Sequence, residues 1–72
     1  MIGADARGKM AGHEAAKHLT ADLSNAEIEV LARQMHALML CDGYAHIEPE
    51  SLFVRGFVEG FRQAFVFCTS SL

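Results

Sequence analysis

Apolar residues recur at helical spacing in two long stretches of the chain. The first stretch follows residues 24–27, whose S-x-x-E order is that of a capping box. Asp42 and Gly43 close it, because glycine readily takes the left-handed conformation that ends many helices. The pattern therefore predicts a helix over about residues 25–42. Its predicted core face consists of apolar side chains at a/d spacing, widened by two neighbours: Ile28, Leu31, Met35 and Leu38, with Ala32 and Met39.

The remaining sides of this helix differ from one another. Glu29, Arg33 and His36 lie on one side of this helix and are expected to form its solvent-exposed face. A second apolar strip lies roughly opposite the core face and holds Val30, Ala37 and Cys41. We therefore expect this helix to pack against other parts of the protein, or against a partner, on two sides.

The second stretch predicts a helix over about residues 49–67. Pro49 suits the first helical position with Glu48 as its N-cap, and Thr69, Ser70 and Ser71 are expected to end it. Phenylalanines and small residues both recur every four positions along it: Phe53, Phe57, Phe61 and Phe65, beside Gly56, Gly60 and Ala64. With Val54 and Val58 they span about 200° of the helix, about twice the stripe of an ordinary surface helix. One neighbouring helix cannot cover such an arc, whereas two can.

Two glycines inside the second helix need a compensating contact. Each costs about 1 kcal/mol relative to alanine, and small residues at four-residue spacing let two helix backbones approach closely. We expect part of the arc to pack on the 25–42 helix and the rest on a second subunit, where a two-fold axis would bring the same patch onto itself. The predicted oligomer interface is Phe53, Gly56, Phe57, Gly60, Phe61, Ala64 and Phe65.

The N-terminal third carries weaker signals. Residues 1–12 hold three glycines among small and charged residues and are expected to form a flexible lead-in. Residues 13–23 fit a short helix, which in the alternative to self-association would cover the arc within a three-helix monomer. The predicted fold is one all-α domain over residues 1–72, an antiparallel helical hairpin that assembles as a homodimer. So short a chain hides only about 60% of its unfolded surface, which favours a partner subunit.

Charge limits the classes of partner. The net charge is −3, which argues against a nucleic-acid protein held by bulk electrostatics. Residues 25–50 carry five acidic side chains against Arg33 alone, so this acidic middle fits a basic partner or a plain solvated face. The predicted partner surface is Glu27, Glu29, Arg33, His36, Arg55 and Arg62. No run approaches the about 18 apolar residues of a membrane span, and no signal peptide is recognisable, so we expect a cytoplasmic protein.

The chemistry-bearing residues do not form a known motif. His13, His18, His36 and His46, with Cys41 and Cys68, show none of the common zinc spacings. Cys41 falls in the last turn of a helix, near the negative end of the helix dipole, which does not favour a reactive thiolate. Both cysteines are therefore expected to be buried small hydrophobes. We predict no metal, no cofactor and no catalytic residues.

One resemblance to a known family is present. Ser24, Glu27, Val30 and Leu31 form an S-x-x-E-x-x-V-L sequence, which is similar to the opening helix of response-regulator DNA-binding domains. The resemblance implies a helix-turn-helix regulator with the following helix as its recognition helix. That helix offers Arg55 and Arg62 among phenylalanines, a composition that indicates a core helix rather than a base reader.

These signals favour a small, non-enzymatic interaction module. We expect an oligomeric inhibitor or adaptor that binds a larger protein, in the manner of phage or mobile-element accessory proteins. Two alternatives stay open: the DNA-binding regulator, and an oligomer that sequesters a small ligand near His36, Arg33 or Arg55.

Overall fold

Three helices make up the regular structure of the described chain. The computed structural model describes residues 3–18, 23–44 and 46–70, with side chains up to residue 64. Helix α1 is Ala4–His18, α2 is Asn25–Cys41 and α3 is Glu50–Ser70. The described residues contain no strand, so the predicted all-α class is confirmed.

Both ends of α2 form as the sequence predicts. The Ser24 amide donates to the Glu27 carboxylate at 2.9 Å, and the Glu27 amide donates to the Ser24 hydroxyl at 3.3 Å, which completes the capping box. At the other end Gly43 takes a φ of 82°. Its amide donates to the Leu40 carbonyl at 3.1 Å, and that of Tyr44 to the Met39 carbonyl at 3.0 Å. This is a Schellman motif, which satisfies the last carbonyls of the helix.

Helix α3 is shifted relative to its prediction. It begins at Glu50, and Pro49 precedes the helix as the residue whose carbonyl accepts from the amides of Leu52 and Phe53, at 3.1 and 3.3 Å. The helix continues to Ser70, through the residues that were expected to end it. Serine and threonine lower helix propensity only modestly, so they do not stop a helix by themselves.

The N-terminal segment corrects the prediction of a flexible lead-in. Residues 4–12 are helical and belong to α1, which covers Ala4–His18; residues 19–22 of the predicted 13–23 helix lie outside the described residues. Small residues at four-residue spacing are the buried ones: Ala4, Gly8, Gly12 and Ala16. Because tertiary packing overrides the low helix propensity of glycine, a segment that looks flexible by composition is ordered here.

Helices α1 and α3 run parallel and touch backbone to backbone. A Cβ added at Gly8 would overlap the carbonyl oxygen of Phe53, and one at Gly12 would overlap that of Phe57. The relation is reciprocal, since a Cβ at Gly56 or Gly60 would overlap a carbonyl oxygen of α1. The close approach predicted for the α3 glycines is therefore present, and its partner is α1 of the same chain.

Helix α2 runs antiparallel to α3 and covers its phenylalanine side. Arg62 in the second half of α3 meets Asn25 at the start of α2, and Glu50 at the start of α3 meets Arg33 further along α2. Phe53 and Phe57 have no exposed surface. The two coverings that the wide arc demands are thus α1 and α2, and a second subunit is not needed for Phe53, Gly56, Phe57, Gly60, Phe61 and Ala64. The Phe65 side chain lies outside the described side chains, and self-association stays a prediction that needs another surface.

The core face of α2 differs from the predicted stripe at one position. Ile28, Ala32 and His36 are buried, whereas Leu38 is 61% exposed. Buried positions therefore follow a four-residue spacing, which rotates the face away from Leu38 and onto His36. Ile47 packs into the core from the α2–α3 connection with 1% exposure.

Candidate functional site: the groove between α2 and α3

An open groove runs along the seam of α2 and α3. Its volume is about 530 Å³, which lies within the range of small-ligand pockets, about 300–1,000 Å³. Val54, which is buried, and the half-buried Val58 form its apolar floor. The walls are polar and come from both helices: Glu29, Arg33, Glu50, Ser51, Arg55 and Glu59.

Arg33 ties the two walls together. Its Nη2 lies 3.7 Å from Oε1 of Glu29 one turn earlier on α2, and its Nε lies 3.6 Å from Oε1 of Glu50 on α3. All three side chains are about half exposed, so these pairs are worth little stability, typically 0–1 kcal/mol. They place a carboxylate from each helix beside the Arg33 guanidinium at the rim of the groove.

Arg55 and Glu59 form a ridge between this groove and a second one. The second groove, of about 360 Å³, lies at the contact of α3 with α1 and shares both residues. Glu59 pairs with Lys9 of α1, with 3.6 Å between Oε1 and Nζ. Among the described residues Arg55 has no ion pair within 4 Å, so its guanidinium is free to meet a partner in either groove.

His36 lies buried behind the groove and not on its surface. Its Nε2 is 3.0 Å from the carbonyl oxygen of Ile47, and a carbonyl only accepts, so Nε2 carries the proton. Glu48 lies 3.8 Å from Nε2, and Glu50 lies 3.9 Å from Nδ1. The ring packs on Phe53 with 5.2 Å between centroids. His36 thus fixes the α2–α3 connection in place.

The predicted partner surface is divided by the structure. Glu29, Arg33 and Arg55 line the groove together. Glu27 is used by the capping box, where the Ser24 amide and then its hydroxyl hold the pKa of this carboxyl below its ordinary value. Arg62 donates from Nε to Oδ1 of Asn25 at 2.6 Å, one turn of α3 beyond Val58. The prediction of His36 as a surface residue is wrong, because the histidine is 2% exposed.

Sequence reasoning missed half of the groove. Val54 and Val58 were recognised as part of the wide arc, but their position at its edge, where α2 leaves them partly uncovered, depends on how the helices cross. Glu50 and Glu59 carried no pattern of their own. The available signal was their spacing from the valines, since Glu50 lies four positions before Val54 and Glu59 directly follows Val58.

The groove offers methyl groups, fixed charges and one hydroxyl, that of Ser51. Among the described residues, no group of three or more histidine, cysteine, aspartate or glutamate side chains could hold a metal ion. Cys41 is exposed, so the prediction that it is a buried small hydrophobe is wrong. The side chain of Cys68 lies outside the described side chains.

Comparison with known proteins adds no relative. No protein-family model, no curated protein and no solved structure matches this chain. Over the residues that the structure describes, no helix is both long enough and apolar enough to cross a bilayer.

Proposed function

We propose that the protein is a non-enzymatic interaction module that binds an amphipathic helix of a larger protein in the α2–α3 groove. The observation that carries the proposal is the groove itself, an apolar floor bounded by charged side chains from two helices. Val54 and Val58 are one turn apart, which suits a helix that presents apolar side chains at the same spacing. The rim holds both signs of charge, so it can select the orientation of the bound helix.

The proposed role within a cell is a consequence of this binding activity. By occupying a site on its target, the protein would act as an inhibitor or adaptor, of the kind found among phage and mobile-element accessory proteins. The proposed setting is the cytoplasm, in which the exposed Cys41 thiol stays reduced.

Sequestration of a small ligand is the second candidate. It is favoured by the groove volume, which fits a drug-sized molecule. We do not propose the DNA-binding regulator, because the exposed side of α3, which would be the recognition helix, sets Glu59 between Arg55 and Arg62, and the chain carries a net charge of −3.

The test is the capture of a target by tagged protein, compared across variants. Val58→Arg puts a charge onto the floor of the groove and should abolish retention of a specific target. Met10→Arg is the control for the added charge, because Met10 is an exposed apolar residue that lies on α1, outside the groove. Retention by Met10→Arg and loss by Val58→Arg, with both variants folded by circular dichroism, supports the proposal. Equal retention by both variants would contradict it, and a thermal shift with small metabolites that only Val58→Arg abolishes would favour the ligand alternative.

A further inference from the structure

His36 is a titratable side chain inside the core, and the groove described above does not use it for binding. The residue is 2% exposed, and imidazole is the side chain that changes charge between about pH 5 and 8. Its two ring nitrogens face different groups. The Ile47 carbonyl lies at Nε2 and the Glu50 carboxylate lies at Nδ1. Because Glu50 also lines the groove, a charge on the buried ring would act directly on the groove wall.

The hydrogen bond to Ile47 decides which ring nitrogen can take up a proton. Since Nε2–H donates to the Ile47 carbonyl, the neutral ring keeps its lone pair on Nδ1. Nδ1 lies 3.9 Å from Oε2 of Glu50, and two acceptors form no hydrogen bond. A proton on Nδ1 would convert this contact into a charge-assisted pair. His36 can therefore change its charge while it keeps the bond that holds the α2–α3 connection.

Charged groups reach the ring from the connection and from α3. The connection supplies Glu48, 3.8 Å from Nε2, and α3 supplies Glu50. On α2 itself, Arg33 pairs with the same Glu50 carboxylate. Among the described residues, α1 contributes no ion pair to His36. Burial works against a charge on the ring, whereas the two carboxylates within 4 Å stabilise it.

The Glu50 carboxylate is shared between a permanent cation and a titratable ring. Its Oε1 lies 3.6 Å from Nε of Arg33, and its Oε2 faces His36. Arg33 and Glu50 are both about half exposed, so water screens their attraction, and Arg33 has Glu29 as another partner. A buried charge without a partner is far more costly than an exposed one. The carboxylate should therefore pair with the histidine once that ring is protonated.

We propose that His36 is a pH sensor that controls the charged rim of the α2–α3 groove. With the ring neutral, Glu50 pairs with Arg33 across the groove. With the ring protonated at Nδ1, Glu50 turns to the histidine and leaves the Arg33 Nε–H to a carboxylate of the bound helix. The protein would then hold an acidic target more tightly at lower pH. This regulatory role rests on the proposed function, whereas the coupling of His36 to Arg33 is a property of the protein alone.

Nitrogen NMR of the protein without a partner tests the coupling from about pH 8 to about pH 5.5. Long-range proton–nitrogen spectra identify which nitrogen of His36 carries each proton. The order parameter of the Nε–H bond reports how firmly each arginine is held. We expect Nδ1 to become protonated and the Arg33 order parameter to fall toward that of Arg55. Arg62, which is bonded to the uncharged Asn25 side chain, should stay unchanged.

Three variants separate this route from other effects of pH. His36→Gln keeps a donor for the Ile47 carbonyl but cannot titrate, and Glu50→Gln removes the shared carboxylate, so both should abolish the change at Arg33. Glu48→Gln is the matched control, because Glu48 is equally near the ring but is not paired with Arg33. Compared at equal protonation of the ring, Glu48→Gln should keep the change.

Three results would overturn the inference. They are a His36 ring that stays neutral down to about pH 5.5, an Arg33 order parameter that does not fall when the ring is protonated, and an equal fall in His36→Gln. Because no partner is present, failure of the proposed binding function would not alter any of these readings. Conversely, a target that Val58→Arg still fails to retain, together with an Arg33 that ignores pH, would remove the sensor and leave the binding function standing.

Discussion

The two helix contacts that build the core are opposites in kind. Between α1 and α3 there are glycines and alanines, and the contact is made by backbone against backbone. Between α2 and α3 there are phenylalanine rings, Ile28, and a histidine with a hydrogen bond. In the first contact no space is left for one more carbon atom, whereas the second is filled by side chains that can adjust. We infer that α1–α3 fixes the geometry of the fold and that α2–α3 leaves room for a groove.

Enlarging a glycine in the α1–α3 contact should have the largest effect. Gly60→Leu places a side chain where Lys9 contributes its carbonyl, and the two backbones would have to separate. We expect the loss to exceed the about 3–5 kcal/mol that a core of this size supplies, so the variant should be unfolded by circular dichroism at 25 °C. A melting curve like that of the wild type would contradict the close contact.

Removing the hydrogen bond at His36 should cost less. His36→Phe keeps a ring against Phe53 but leaves the carbonyl of the buried Ile47 without its donor. An unsatisfied buried group costs about 1–3 kcal/mol, which urea denaturation can measure. His36→Gln, which can restore a donor, should recover part of the loss; if it is no better than His36→Phe, the histidine acts through packing alone.

A substitution at the end of α2 separates conformational strain from steric overlap. Gly43 has a φ of 82°, and a Cβ there would meet nothing within 4 Å. Gly43→Ala should therefore cost only the left-handed penalty of about 1–2 kcal/mol. The comparison with Gly60→Leu is sharpened by Gly60→Ala, measured in the same denaturant series. If Gly60→Ala costs no more than Gly43→Ala, overlap between α1 and α3 is not what constrains position 60.

The smallest effect should be a pH dependence at the N-terminus of α2. The pKa of Glu27 is lowered from its ordinary value of 4.5 by the Ser24 amide and then the Ser24 hydroxyl. A lowered pKa in the folded protein means that the ionised carboxylate contributes stability above pH 4.5, and that this stability is lost as the pH falls through the folded value. Glu27→Gln keeps a capping acceptor but cannot titrate. The melting temperatures of the wild type and of Glu27→Gln should differ by a constant amount above pH 5, and the difference should shrink as the pH falls below 4.5. A difference in melting temperature that stays constant over the whole pH range would contradict the capping role.

The sequence was sufficient wherever a local rule decides the structure. The capping box and the left-handed Gly43 are both set by residues close together in the chain. The width of the α3 arc correctly demanded two covering helices. The width of the arc does not show whether the second covering helix belongs to the same chain, because that depends on how the connection between α1 and α2 positions α1.

The missed helix shows why composition misleads. Ala4, Gly8, Gly12 and Ala16 repeat every four residues, as Gly56, Gly60 and Ala64 do, so the same signal was present in both segments. In α3 it stood beside phenylalanines and was interpreted as a packing face. In α1 it stood among charged residues and was interpreted as flexibility. Likewise His36 replaced Leu38 in the core because its hydrogen bond to the α2–α3 connection is a tertiary contact, which no helical pattern encodes.

The central claim is that the glycine faces of α1 and α3 meet within one chain. Nuclear Overhauser effects test it most directly, because the Hα of Gly8 should lie close to the amide of Phe57, and that of Gly12 close to the amide of Phe61. We expect both effects in a uniformly labelled sample and neither in an isotope-filtered experiment on mixed labelled and unlabelled chains. Their absence would contradict the α1–α3 contact, and their appearance in the filtered experiment would assign the glycine face to a second subunit.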